Sequence, residues 1–195
     1  MACEGLITAD MLFDCANAPI GGIESNVLLF NTLDIDYTAI TRDGTNPDIV
    51  TNFQLKTGKT GYLLQGVKQV NVAMSELVKK EFSNDKRKHT FNGVVFNASA
   101  ANKAQLNEMA KGGKYAVMVE RKWKGANNAE AFLVYGLDSG MELTTEVHNT
   151  NENDGVLQFS LASADGYEEI YLPSTVLETD YATTKTAYDA KFVQA

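Results

Sequence analysis

The chain has 195 residues, 44% of them hydrophobic and 22% charged, with a net charge of −8 at neutral pH. This is enough apolar material for a real core, which excludes a disordered chain, and the length suits one domain with arms. No apolar run approaches the roughly 20 residues that span a bilayer as a helix. The start "MACEGLITAD" has no basic residue and carries Glu4 ahead of any apolar stretch, unlike a secretory signal, so a cytosol-like compartment is expected.

In chain order, residues 1–26 read as an irregular arm. Leu6, Ile7, Met11, Leu12 and Phe13 are scattered among Asp, Asn and Gly, and "APIGGIESN" has turn chemistry. An arm this apolar is expected to pack on a core or on a neighbour. "NVLLF" reads as a short buried strand, and "NTLDIDYTAI" alternates as a half-buried strand does. "TRDGTNPD" is a loop, and "IVTNFQL" and "YLLQGVKQVNVAM" continue as strands.

Between the last two lies "LKTGKTGYLL", with the G-K-T that ends a phosphate-binding loop. Such a loop needs a glycine five positions earlier, and that position is Phe53. No helix follows whose N-terminus would face a phosphate. The stretch reads as a Gly-bracketed turn between strands.

"SELVKKEFSNDKRKHTF" over 75–91 is either a helical turn capped by Ser75 or a long hairpin with "SNDK" at its tip. "NGVVFN" is a strand. Residues 100–111 form a helix capped by Ser99, with Leu106 and Met109 on one stripe and Gly112-Gly113 at its end. "KYAVMVERKW" and "EAFLVYG" make a hairpin around "KGANNA". "MELTTEVH", "VLQFSLA" and "YEEIYLP" follow at short, regular spacing, the mark of a sandwich or barrel. The Thr-rich residues 174–195 are an extended arm or a helix over the last ten. The whole reads as mainly β: a β-sandwich or small barrel over 27–173, one flanking helix and extended terminal arms.

Charge is unevenly spread. Residues 1–55 are net −7, residues 56–125 net +9 and residues 126–195 net −10. Either the middle third pairs with both ends inside the fold, or the surface is two-signed. In the second case a basic face meets an acidic face on the next subunit, a head-to-tail contact. The basic residues concentrate at Lys79, Lys80, Lys86, Arg87, Lys88 and His89. A solvated loop, a nucleic-acid patch and an acidic neighbouring subunit all fit such a cluster. The acidic remainder and the lack of interleaved aromatics beyond Phe82 and Phe91 weigh against nucleic acid.

No catalytic signature is present. There is no G-x-S-x-G around Ser25 or Ser139. Cys3 and Cys15, with His89 and His148 far apart in sequence, make a poor zinc set. Cys15 sits among acids that disfavour a thiolate, and free thiols suit the compartment better than a disulfide. Asp34 and Asp36 share one face of the expected strand but supply too few oxygens for a cation. "NTNENDG" lacks the calcium-loop pattern. Glu168 and Glu169 are adjacent and would face opposite sides of a strand. Trp123 reads as a rim or interface anchor, with sugar stacking as the other use. The expectation is no enzyme, no cofactor and no metal.

The segment 129–173, "AEAFLVYGLDSGMELTTEVHNTNENDGVLQFSLASADGYEEIYLP", resembles the C-terminal β portion of virion structural proteins of tailed bacteriophages, above all tail-tube and tail-tube-like ring subunits. "VYG" followed by "GMEL", "DG" before a strand, and "LAS…E…LP" carry the likeness, and the helix ahead of these strands fits it. The resemblance implies a subunit of a tail tube or of a head–tail or neck ring, assembled into virions in a host cytoplasm. Its partners would be copies of itself and neighbouring virion proteins. One sheet would extend into the next around a ring, loops and arms would stack the rings, and DNA would pass through the bore. An acidic lumen repels phosphate and lets DNA slide. Lys79, Lys80, Lys86, Arg87 and Lys88 would then face acidic subunit surfaces, with Trp123 at an interface. The rival reading is a capsid decoration or carbohydrate-binding module built around Trp123.

Overall fold

The computed structural model describes residues 7, 9–67 and 69–193. The first half holds β1 (Ile23–Asn31), β2 (Thr41–Arg42), β3 (Ile49–Asn52), β4 (Tyr62–Gln65), β5 (Val72–Val78), β6 (Lys86–Val95) and α1 (Ala100–Met109). The second half holds β7 (Tyr115–Arg121), β8 (Phe132–Tyr135), β9 (Glu142–His148), β10 (Leu157–Ala162), β11 (Ser174–Val176) and α2 (Tyr181–Asp189). Seven strands form one sheet in the order β2-β3-β11-β8-β7-β1-β4, and four form a second in the order β5-β6-β10-β9. All neighbours are antiparallel except β3 and β11. The fold is mainly β, an open sandwich rather than a closed barrel, since both sheets keep their edge strands.

β7 explains the layering. Its sequence "YAVMVER" is buried without interruption from Tyr115 to Glu120, as in a strand covered on both faces. Val117 and Val119 point into the space between the sheets, against Phe91, Leu157, Phe159 and Leu161. Ala116 and Met118 point the other way, into a second core with Phe30, Phe53, Phe132, Tyr188 and Phe192. The large sheet is therefore a middle layer. The small sheet covers one face; α2 and the coil that carries Ile35, Phe53 and Leu55 cover the other.

α1 begins where the sequence places it: the Ser99 hydroxyl accepts a hydrogen bond from Asn102 N at 3.2 Å. Leu106 is buried in the core between the sheets, with Met109 packed beside it. The 75–91 stretch is a hairpin, with Glu76 opposite Lys88 and Val78 opposite Lys86.

Three expectations are corrected. Beyond Asn31, which ends β1, residues 32–40 are not a strand but a 3-10 turn and further turns, with a single bridge from Ile35 to Leu55. Local side-chain bonds win there: Asn31 donates to Asp34 at 2.8 Å, and Asp36 accepts from the Thr38 hydroxyl at 2.6 Å. Residues 167–173 are loop, touching a strand only at Glu169. Residues 174–193 are not an extended arm. β11 lies inside the large sheet between β3 and β8, and α2 is a second helix, earlier than the last ten residues. Val176, Tyr188 and Phe192 are each at most 5% exposed, and that burial holds the segment. Its threonines serve locally: Thr184 Oγ1 donates to Asp180 O at 2.8 Å and accepts from Glu178 N at 3.0 Å.

Candidate interaction surfaces

Period-2 alternation divides the basic hairpin. Lys86 and Lys88 face outward, while Arg87 and His89 share the inward side with Phe91. Arg87 Nε is buried without a hydrogen-bond partner. At the tip, Lys79 pairs with Asp85 at 2.6 Å. Lys80 pairs with Glu168, and Lys88 approaches Asp165 at 3.6 Å. Elsewhere Lys59 binds Asp34 at 2.9 Å and Lys114 approaches Glu142 at 3.9 Å. The basic middle third thus pairs in part with acids from both ends of its own chain. Lys86 makes no ion pair among the described residues and remains available to a partner.

The loop over 163–172 faces this hairpin and inverts the usual order. Glu168 and Glu169 are buried, while Tyr167, Ile170, Tyr171 and Leu172 are 57% to 65% exposed. Carboxylates are rarely covered unless paired, and here each has a partner. Glu168 holds Lys80. Glu169 Oε1 accepts from Ser139 N at 2.9 Å, and its backbone exchanges bonds with Arg87. Ser163 adds two more ties, donating from its N to His89 O at 2.9 Å and accepting from His89 N at 3.1 Å. The Lys114 ammonium lies 4.4 Å from the Tyr167 ring centre.

Burial sets the protonation of this cluster. Glu169 is pushed up to about 7, chiefly by desolvation and further by Asp138, against the pull of the amide donors at 138–140. Glu168 is held near 2 by the Lys80 ammonium, being shielded from water yet close to the surface. His89 falls to about 4 because it is desolvated. Its Nδ1 accepts from Gly136 N at 3.0 Å, so the neutral ring carries its proton on Nε2. That Nε2 makes no well-formed hydrogen bond, only a weak contact at the Tyr171 backbone. Tyr37 rises to about 12 through burial and the neighbouring Asp138 and Glu169, and its hydroxyl donates to Leu137 O at 3.0 Å. His89 and Glu169 each hold a backbone amide of the 136–140 turn. The arrangement is a clamp that displays a loop.

A second surface lies at the far edge of the large sheet. β4 is its terminal strand. Beside it runs a groove of about 760 Å³, lined by Leu64, Leu106, Met109, Tyr115 and Phe159, with Tyr62 at its rim. The N-terminal arm is the third apolar feature. Met11, Leu12, Phe13 and Ile20 are 64% to 86% exposed. Trp123 Nε1 donates to Asn17 O at 2.7 Å and anchors the arm, while the Arg121 guanidinium lies 4.6 Å from the indole centre.

The remaining sequence candidates resolve as follows. Residues 56–60 form a turn in which Lys59 holds Asp34. Asp34 is buried and Asp36 turns away from it into its own Thr38 contact, so the two share no strand face. Cys15 is exposed; the question of a bond to Cys3 falls outside the described residues. Among the described residues no three His, Cys, Asp or Glu side chains gather as a metal site requires, and no helix is long and apolar enough to cross a membrane. The burial of Glu168 and Glu169 was missed by the strand reading. One signal was available: "YEEIY" is apolar at both ends of an acidic pair and does not alternate with period two. Comparison with protein-family models, with curated proteins and with solved structures gave no match.

Proposed function

We propose that this chain is a non-enzymatic structural subunit that assembles head to tail with copies of itself into a ring or tube. The observation that carries this reading is the loop over 167–172, with its acids covered and four apolar side chains turned to solvent. Contiguous apolar exposure of this kind marks interaction surfaces. The clamp under the loop means that little ordering entropy is lost on contact. The open sheet edges and the apolar arm act in the same direction, since surfaces that differ from one another favour heterologous contacts that close into rings or run on as tubes.

The resemblance of 129–173 to tail-tube proteins gives the assembly its form: a phage tail or neck element with an acidic bore through which DNA passes without sticking. Lys86 is the hairpin cation that would meet an acidic neighbour; Lys79, Lys80 and Lys88 have acids of their own. The decoration or carbohydrate-binding reading gains no observation. Trp123 already donates its indole N–H to Asn17, and Arg121 stacks on its ring.

Electron microscopy of the purified chain over a concentration series, with sedimentation alongside, tests the proposal. Rings or tubes with a central hole are the expected result, and Tyr171→Glu with Leu172→Glu should suppress them. A monomer at every concentration would overturn self-assembly and return the weight to a decoration module.

A further inference from the structure

The terminal strand β4 and the N-terminal arm are each half of a contact. β4 pairs with β1 on one side only. Natural edge strands are guarded by charge, proline or a bulge; "YLLQ" has neither a charge nor a proline. An unguarded edge beside an apolar groove is a template for an added strand. Backbone groups pair along the edge, and alternate side chains enter the groove. The groove walls include Leu64 from β4 with Leu106 and Met109 from α1 as apolar surface, beside the polar side chains Asn97, Asn102, Gln105 and Glu108.

The arm has the matching chemistry. Met11 and Phe13 are two apart and would face the same way in a strand. Both are largely exposed, at 85% and 73%. The four residues of β4 span about 13 Å, a length that four or five arm residues match. None of the described arm residues lines the groove of its own chain. The Trp123 bond anchors Asn17 beyond β7, on the far side of β1 from β4.

We propose that residues 10–13 of one copy add as a strand to β4 of the next copy, with Met11 and Phe13 in the groove against α1. This rests on the self-assembly reading above and names the segment that makes one of its contacts. Each copy donates an arm and receives one, so the contact is heterologous.

The test uses the full chain with Cys3 and Cys15 replaced by serine. Sedimentation compares this parent with Phe13→Asp, an exposed change that should leave the fold and Tm unaltered. Self-association at least tenfold weaker is expected. In parallel, Phe13→Cys in one tagged population is mixed with Tyr62→Cys in another, and an interchain disulfide is expected in the assembled fraction. Assembly of Phe13→Asp at parental strength overturns the arm contact and leaves self-assembly standing. So does the absence of a 13–62 disulfide from assembled protein. A parent that never associates overturns both.

Discussion

Arg87 and Glu169 exchange both backbone hydrogen bonds, at 2.7 and 2.9 Å, although Glu169 belongs to no strand. That one bridge docks the 163–172 loop on the edge of the hairpin. It also turns the Glu169 carboxylate inward to the Ser139 amide, which leaves Ile170, Tyr171 and Leu172 outside.

The clamp should show itself in the pH dependence of stability. Glu169 has a folded pKa raised to about 7, so its contribution is full below about 4.5 and is lost as pH rises through 7. His89 has a folded pKa depressed to about 4, so its contribution is full above about 6.5 and is lost as pH falls toward 4. Between these limits the two slopes oppose each other. Glu169→Gln keeps an acceptor for Ser139 N–H and removes one slope. Its stability relative to the parent should rise with pH from 4.5 to 6.5, approaching about 1.4 kcal/mol per pH unit. Urea midpoints at three pH values measure this; parallel curves would disprove the buried titration.

Lys80→Ala leaves Glu168 covered and unpaired. Breaking such a pair costs several kcal/mol in a deep core, and about 2 kcal/mol is expected for this shallow site. Glu168 is depressed to about 2, so the parent should lose the contribution as pH falls from 4.5 toward 2. The variant should lack that acid-limb loss. Equilibrium denaturation of both proteins at pH 7 and pH 3 gives the comparison.

The two neighbouring cations Lys86 and Arg87 should behave oppositely. Lys86 faces outward, and Lys86→Glu should change stability by less than about 0.5 kcal/mol while weakening assembly at low salt. Arg87 points inward, and Arg87→Glu places an acid in the buried clamp, at a cost of about 3 kcal/mol. Thermal melts of the two variants decide it, and equal Tm values would refute the assigned orientation.

Phe192 tests whether the C-terminal segment is core. Its ring lies 4.9 Å from that of Phe53 and 5.9 Å from that of Phe30, while its backbone sits at φ 53°, a left-handed conformation unusual for a bulky residue. Phe192→Ala should cost about 3–5 kcal/mol through the cavity it leaves. A free arm would lose nothing, and a chemical denaturation curve separates the two outcomes.

Local chemistry made much of this protein legible in its sequence. The Ser99 cap and the Leu106 stripe defined α1, the apolar run in "KYAVMVERKW" marked β7 as a strand, and Gly and Asn clusters placed the hairpin turns. These signals act over a few residues, so the sequence holds them whole. By itself it determined a mainly β chain with a helix at 100–111, a basic cluster over 79–89 and an apolar arm. Tertiary structure decided the rest. The Thr-rich C-terminus became strand and helix because Val176, Tyr188 and Phe192 found a core more than a hundred residues away in sequence, around Phe30 and Phe53. Glu168 and Glu169 went inside because Lys80 and the Ser139 amide were brought to them by the fold. Pairing across such distances depends on where other segments come to rest, and no local pattern carries that information.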